Sequence, residues 1–416
     1  MDRFKVRSFV LVATFLLVIA ACGTASRTSP RIDSGNGLGG TDLSAFPSSE
    51  DFYRLPTHLD SAPPGSLVRL QMVSNTKGFV TLRVMYHSRD TAGHDAAVTG
   101  LISYPTSTAP KGGWPIVAWD HGTSGMSQSC APSRSGGEIP NFGINGVAVA
   151  TDYLGLGPDG EIHPYLNRVT EAEATIDIVR AARQIPDAHG SATWVVVGDS
   201  QGGQASLATG EIAPKYAPEL HLAGTVAIGP GVELNKTFPG DLPIVHQIIE
   251  TMVLYGAEVS DPRINPNQYL VPAAQGVAEV IKNGCIGQIT DYLLSAFLKS
   301  GGNIFTQTPE DTPLGRAWLK ANDVGYSHTP SPILVIGGGQ DDIVVPGRVD
   351  AIMKQLCLIK DRVSLDELPG ANHSTEPSVA TPQINAWIDA RLAGKQAPTS
   401  CPFTSSLTIP STASSS

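Results

Sequence analysis

The run Trp194-Val195-Val196-Val197-Gly198-Asp199-Ser200-Gln201-Gly202-Gly203-Gln204 constrains this chain more than any other stretch. Four apolar residues, three of them β-branched, lead into glycine, and good helix formers follow Ser200, so the period changes from strand to helix at that serine. A Gly-x-Ser-x-Gly elbow holds its serine in a strained backbone with the hydroxyl standing clear. A Cβ at either flanking glycine would collide with a neighbouring strand or helix, which accounts for Gly198 and Gly202. The helix starting at Gln201 turns its free N–H groups toward the place where an oxyanion would form during attack on a carbonyl. With 43 glycines in 416 residues the five-residue pattern alone says little. Its single occurrence, directly after an apolar strand, supplies the context the motif requires.

The termini read differently from the middle. Arg3, Lys5 and Arg7 precede an uncharged apolar run from Ser8 to Ala21, too short for a comfortable membrane span, so residues 1–21 are expected to be an export signal. The run ends in Ile19-Ala20-Ala21-Cys22, which resembles a bacterial lipoprotein cleavage site with Cys22 as the lipidated residue. Residues 22–50, rich in Ser, Thr, Gly and Pro, then form a polar tether, and residues 403–416 a disordered tail. The expected location is the outer face of the cell membrane, or secretion. Net charge is −10 and no basic tract follows the extreme N-terminus, which excludes nucleic acid as an expected partner.

Residues 51–402 alternate strands with helices. Leu67–Val73, Val80–His87 and Ala96–Tyr104, joined by turns rich in Gly, Asn and Asp, predict an antiparallel edge. Pro115–Asp120, Gly146–Tyr153, the elbow strand and Ala223–Ile228, with a helix over Glu171–Gln184, predict a mostly parallel sheet covered on both faces. From about 231 to 329 the periodicity is helical only, in Leu242–Tyr255, Leu270–Lys282, Ile286–Lys299 and Pro313–Ala321. A crossover needs only a dozen residues, so this stretch is an inserted cap. The strand pattern resumes at Pro332, followed by a helix over Val349–Leu358, a strand over Val363–Leu368 and a last helix over Pro382–Leu392.

Three side chains complement the elbow. His373 sits in a loop before the final helix, where its ring would accept the Ser200 proton while a carboxylate fixes the tautomer. Asp341 or Asp342, after the strand at 332–338, supplies that carboxylate, giving the Ser, Asp, His order of α/β-hydrolases. His121-Gly122-Thr123, after an early strand, suits an oxyanion loop with the Thr123 N–H as second donor beside that of Gln201. Cys130, Cys285, Cys357 and Cys401 form no Cys-x-x-Cys pair, so disulfides are expected rather than a metal site. The three possible pairings stay open on spacing alone.

The chain resembles the secretory lipases, α/β-hydrolases of the Candida antarctica lipase A type with a helical lid. Phe52-Tyr53, Gly125–Ser133 around Cys130, Asp152–Gly157, His163-Pro164-Tyr165, Gly198–Gly203, Asp341–Cys357 and His373 carry the resemblance. It implies Ser200 as nucleophile, His373 as base and Asp341 as orienting acid, with Cys130 joined to Cys285 and Cys357 to Cys401. The common spacing Gly339-x-x-Asp342-x-x-Val345-Pro346 points instead to Asp342, while the family register, counted from Pro332 or back from Cys357, selects Asp341. The His121-Gly122-Thr123 loop resembles bacterial relatives rather than the yeast enzyme. The implied activity is hydrolysis of acylglycerols or related esters, with no metal or organic cofactor. Two other outcomes fit the same residues: an envelope acyltransferase using the triad, and a binding lipoprotein on a hydrolase scaffold. Apolar cap residues Ile244, Ile248, Ile249, Met252, Leu254, Leu293, Leu294, Phe297 and Leu298 are expected to be shared between cap packing and an acyl channel.

Overall fold

Trp194–Val197 are buried on both sides, because each side chain in turn meets a different layer of helices. In the computed structural model Trp194 and Val196 pack with Ile176 and Val179, while Val195 and Val197 pack with Ile384 and Trp387. A strand covered on both faces must be apolar throughout rather than alternating, which is the pattern this stretch has. The structure describes residues 52–135, 139–140, 142–158, 160, 162–234 and 243–404. The export signal, the tether with Cys22 and nearly all of the tail lie outside them.

Among the described residues, nine strands form one sheet. β1 (Leu67–Thr76), β2 (Phe79–Arg89) and β3 (Asp95–Pro105) pair antiparallel as successive hairpins, and β3 runs antiparallel to β5 (Val147–Thr151). The rest is parallel: β5 beside β4 (Trp114–Asp120), then β6 (Gly190–Asp199), β7 (His221–Ile228), β8 (Ile333–Gly338) and β9 (Val363–Leu368). This is an α/β-hydrolase sheet. α1 (Arg168–Arg183) starts where the Asn167 side chain accepts from the Val169 and Thr170 N–H groups. α2 (Gln201–Tyr216) follows the elbow.

Between β7 and β8 run α3 (Ile244–Ser260), α4 (Pro272–Gln275), α5 (Val277–Asn283), α6 (Ile286–Lys299) and α7 (Pro313–Asn322). They bury an apolar cluster of their own, with Met252, Leu254, Ile289 and Leu293 nearly inaccessible. The single helix expected over Leu270–Lys282 is two. Pro272 fixes a start, and at Gly276 a Cβ would lie 2.2 Å from the Tyr292 hydroxyl, so the chain bends there to admit the tyrosine. α8 (Pro346–Leu358) follows β8, and α9 (Glu376–Leu392) closes the fold. α9 begins six residues before the expected Pro382. Pro377 takes the second helical position, where no N–H is needed, and Pro382 is carried inside the helix.

Two disulfides, Cys130–Cys285 and Cys357–Cys401, join the pairs that the resemblance implies. The first fastens the start of α6 beside the loop after β4, where Ile286 N–H also donates to Ser124 O at 3.0 Å.

Candidate active site

The loops that follow β4, β6, β8 and β9 all open at the carboxyl end of the parallel strands, where α/β sheets gather ligand-binding loops. Ser200, between β6 and α2, takes φ 57° and ψ −113°, a conformation unfavourable for a side chain bearing Cβ. What enforces it is close packing. A Cβ on Gly198 would lie 1.8 Å from Gly202 O, and one on Gly202 1.9 Å from Asp120 O. The Ser200 N–H donates to Ile228 O at 2.8 Å, which pins the turn to the end of β7.

His373 and Asp341 come to this serine from loops far along the chain. His373 Nε2 lies 2.9 Å from Ser200 Oγ, and Nδ1 lies 2.7 Å from Asp341 Oδ2. The other Asp341 oxygen accepts from the N–H groups of Ile343 and Val344, both at 2.8 Å. Asp341 is buried, and burial alone would raise its pKa. The hydrogen bond and positive charge of His373 outweigh burial and hold it below the usual carboxylate range. His373 is raised: burial opposes its charge, but the Asp341 bond and charge, with help from Asp199 and Asp342, more than offset it. The side chain of Asp342 is turned to solvent, and the structure brings Asp341, not Asp342, to His373.

Among the described residues, the backbone N–H groups of Thr123 and Gln201 donate to no acceptor. Gly122 lies close to the serine, its absent Cβ only 3.7 Å from Ser200 Cβ. The loop is fixed from behind. His121, buried and kept neutral with its pKa lowered to about 4 by burial, donates from Nδ1 to Gly122 O at 2.7 Å. The Thr123 hydroxyl and the Tyr165 hydroxyl bond at 2.7 Å. The Gln201 amide is fixed as well: its Nε2 donates to Glu171 Oε1 and to His163 Nε2, each at 2.7 Å. His163 must accept there, because its Nδ1–H is spent on Leu154 O at 2.7 Å. Spacing gave no sign of these supports, since Glu171 reads as an ordinary first-turn helix acid.

A cavity of about 440 Å³ opens over the serine. Ser200, His373, Gly122, Thr123 and Asp199 form its floor; Ile244, Ile248 and Ile249 of α3 and Ile286 and Leu294 of α6 form its walls. Of the remaining apolar cap residues, Met252, Leu254 and Leu293 are spent in the cap core and Leu298 faces solvent. Asp199 beside the serine has its pKa raised to about 6, chiefly by burial. Asp341, His373 and Glu376 place possible metal-ligating atoms within 4.8 Å of one another. Both His373 nitrogens already face Ser200 and Asp341, so an ion held by His373 would have to displace one of those two contacts.

A family model described as secretory lipase matches residues 143–400, well over half of the chain. The chain belongs to the secretory lipase family. Among proteins similar to this chain, Lipase 6 of Candida albicans is 24% identical over 403 residues, covering 86% of this chain and 84% of that one. A Mycobacterium tuberculosis protein named probable inactive lipase is 21% identical, covering 84% and 83%. Candida antarctica lipase A in its closed state superposes with a TM-score of 0.69 at 17% identity, covering 86% and 89%, which establishes the shared fold.

Proposed function

We propose that this family member is a serine ester hydrolase that cleaves medium or longer acyl esters, acylglycerols included. The observation that carries the proposal is the unbroken chain of contacts Ser200–His373–Asp341 on the floor of a mostly apolar cavity. Ser200 Oγ attacks the ester carbonyl as His373 Nε2 takes its proton, and the Thr123 and Gln201 N–H groups receive the oxyanion. His373 then returns the proton to the departing alcohol. Water, activated by the same nitrogen, releases the acid from the acyl-enzyme. Asp341 holds the imidazole with its proton on Nδ1 and stabilises the imidazolium. A cavity of 440 Å³ falls in the size range of small-molecule sites, and its isoleucine and leucine walls favour an acyl chain.

The reading extends to the rest of the chain. Residues 1–21 export the protein, Cys22 carries the lipid, and residues 22–50 tether the catalytic domain of 51–402, with its helical cap at about 231–329, to the outer face of the membrane. Ser200→Ala tests the mechanism: turnover of p-nitrophenyl esters and labelling by an organophosphonate both disappear while thermal unfolding is unchanged. Labelling that survives in the variant refutes it. A chain-length series from acetate to palmitate tests the substrate class, and a profile that peaks at acetate with no turnover at eight carbons overturns it.

A further inference from the structure

Glu376 is an acid near the site with none of its surface exposed, and the mechanism above does not use it. It stands in the first turn of α9, where its Oε1 accepts from the Gly338 N–H at 2.6 Å. Its Oε2 finds no donor among the described residues and is directed at the Asp341 carboxyl. Space for this convergence comes from Gly229 at the end of β7, which has φ +44°. A Cβ there would lie 2.6 Å from Glu376 Oε2, 3.3 Å from His373 Nδ1 and 3.4 Å from Asp341 Oδ2. Two carboxyl groups meet in a buried place with no donor between them. Both cannot be ionised, because like charges at that separation and burial repel too strongly.

The proton belongs on Glu376. Asp341 is served by two backbone N–H groups and the His373 Nδ1–H, whereas Glu376 has a single backbone N–H. Resting on the serine hydrolase reading, we propose that Glu376 is a positioning residue, a neutral acid whose Oε2–H donates to Asp341 and keeps that carboxylate ionised and aimed at His373. No bond to substrate is involved. Burial first, then the bond to Asp341 and its charge, and more weakly Asp199, raise the Glu376 pKa to about 9, while the Gly338 N–H pulls it down. The charged and titratable groups around it are Asp341 on the loop after β8, Asp199 at the end of β6 and His373 on the loop before α9, with the solvent-exposed Asp342 acting on His373 only through its charge. As pH rises through about 9, Glu376 loses its proton, two carboxylates face each other, and Asp341 is pushed off the imidazole.

Glu376→Gln reproduces the neutral acid at every pH, because its carbonyl accepts from Gly338 and its amide donates to Asp341. The test compares pH profiles of kcat/KM for wild type, Glu376→Gln and Glu376→Ala on a soluble ester. Wild type declines as pH passes about 9; Glu376→Gln lacks that decline and keeps most of the kcat that Glu376→Ala loses. The alanine loss is as much as about 100-fold in kcat with KM little moved, the scale of a misplaced catalytic group. Should Glu376→Ala not fold, the glutamine profile decides alone. A glutamine variant that is folded but as slow as the alanine one, or that retains the wild-type alkaline decline, overturns the proposal. Infrared spectra at neutral pH provide a readout that needs no turnover: a buried carboxylic-acid C=O stretch present in wild type and missing in Glu376→Gln. Identical spectra refute the protonated Glu376, whereas surviving labelling in Ser200→Ala refutes only the hydrolase reading beneath it.

Discussion

Asp341→Asn changes one atom and predicts a loss far larger than that atom's share of packing. The Oδ1 position accepts two backbone N–H groups, from Ile343 and Val344, at 2.8 Å each. In the variant the amide oxygen must stay there, since turning the NH2 group to face two N–H donors would leave three donors buried together. The NH2 group then takes the Oδ2 position, 2.7 Å from His373 Nδ1, and needs an acceptor there. His373 can accept at Nδ1 only by moving its proton to Nε2, the nitrogen that faces Ser200 Oγ at 2.9 Å. A nitrogen already carrying a proton cannot take the one on serine. The folded variant therefore holds the wrong tautomer, and the expected fall in kcat is on the order of 10⁴-fold, about 5.5 kcal/mol of barrier. Asp342→Asn is the control: its carboxyl faces solvent, and kcat stays within about threefold of wild type because screening weakens an exposed charge. Initial rates on a p-nitrophenyl ester, normalised to folded protein, measure both. An Asp341→Asn enzyme within tenfold of wild type, with Asp342→Asn inactive, refutes the tautomer argument.

Stability falls as pH rises. Asp177, Asp199 and Asp323 have folded pKa values of about 6 and Glu250 of about 10, all raised mainly by burial, so each retains a proton that its unfolded form releases near pH 4. The stabilisation from those protons is complete below pH 4 and decays as pH climbs to each folded value, so Tm drops from pH 5 to pH 9, and Glu250→Gln flattens the upper part of the decline; a Tm that rises from pH 6 to pH 9 contradicts this sign. Replacing Cys357 and Cys401 by serine frees a loop of 44 residues, worth at most about 4 kcal/mol in chain entropy, and lowers Tm with little change in kcat. Replacing Cys130 and Cys285 by serine lowers kcat as well, because that bond sits beside Ser124 and Gly125 of the oxyanion loop. Leu294→Trp fills the cavity wall and moves the preferred acyl chain to shorter lengths, read from the same ester series.

The features legible in the sequence are those whose cause is local. Ser200 announces itself because a Cβ on either flanking glycine would collide, on Gly198 with Gly202 O inside the turn at 1.8 Å and on Gly202 with Asp120 O at the end of the adjacent β4 at 1.9 Å. The sheet was readable because strands buried on two faces must be apolar throughout, as Trp194–Val197 are. The choice between Asp341 and Asp342 turns on one residue of register, and only the fold shows which side chain points inward. Glu171, His163 and Glu376 were opaque for a different reason. Each looks like an ordinary helix or turn residue, and its role depends on partners such as Gln201 and Asp341 that lie 30 or more residues away. The cap shows the same limit, since its helical period gives apolar faces without saying which of Ile248, Met252 and Leu294 meets the cavity. The start of α9 failed on punctuation: of two prolines, Pro377 rather than Pro382 stands in the first turn.

The two walls of the cavity are moored to different parts of the proposed active site. α6 is covalently tethered beside the Gly122–Thr123 loop through Cys285 and Cys130, while α3 reaches the Asp341–Ile343 loop through His246 Nε2, which donates to the carbonyls of Asp342 and Ile343 at 3.0 and 3.1 Å. Anyone re-engineering substrate preference here is therefore adjusting a machine whose specificity and speed share the same mounts. Changes near either mooring, at Ile286 or next to His246, would alter turnover along with selectivity. Leu294, about two turns of helix beyond Ile286, is the wall position from which the two can be tuned apart.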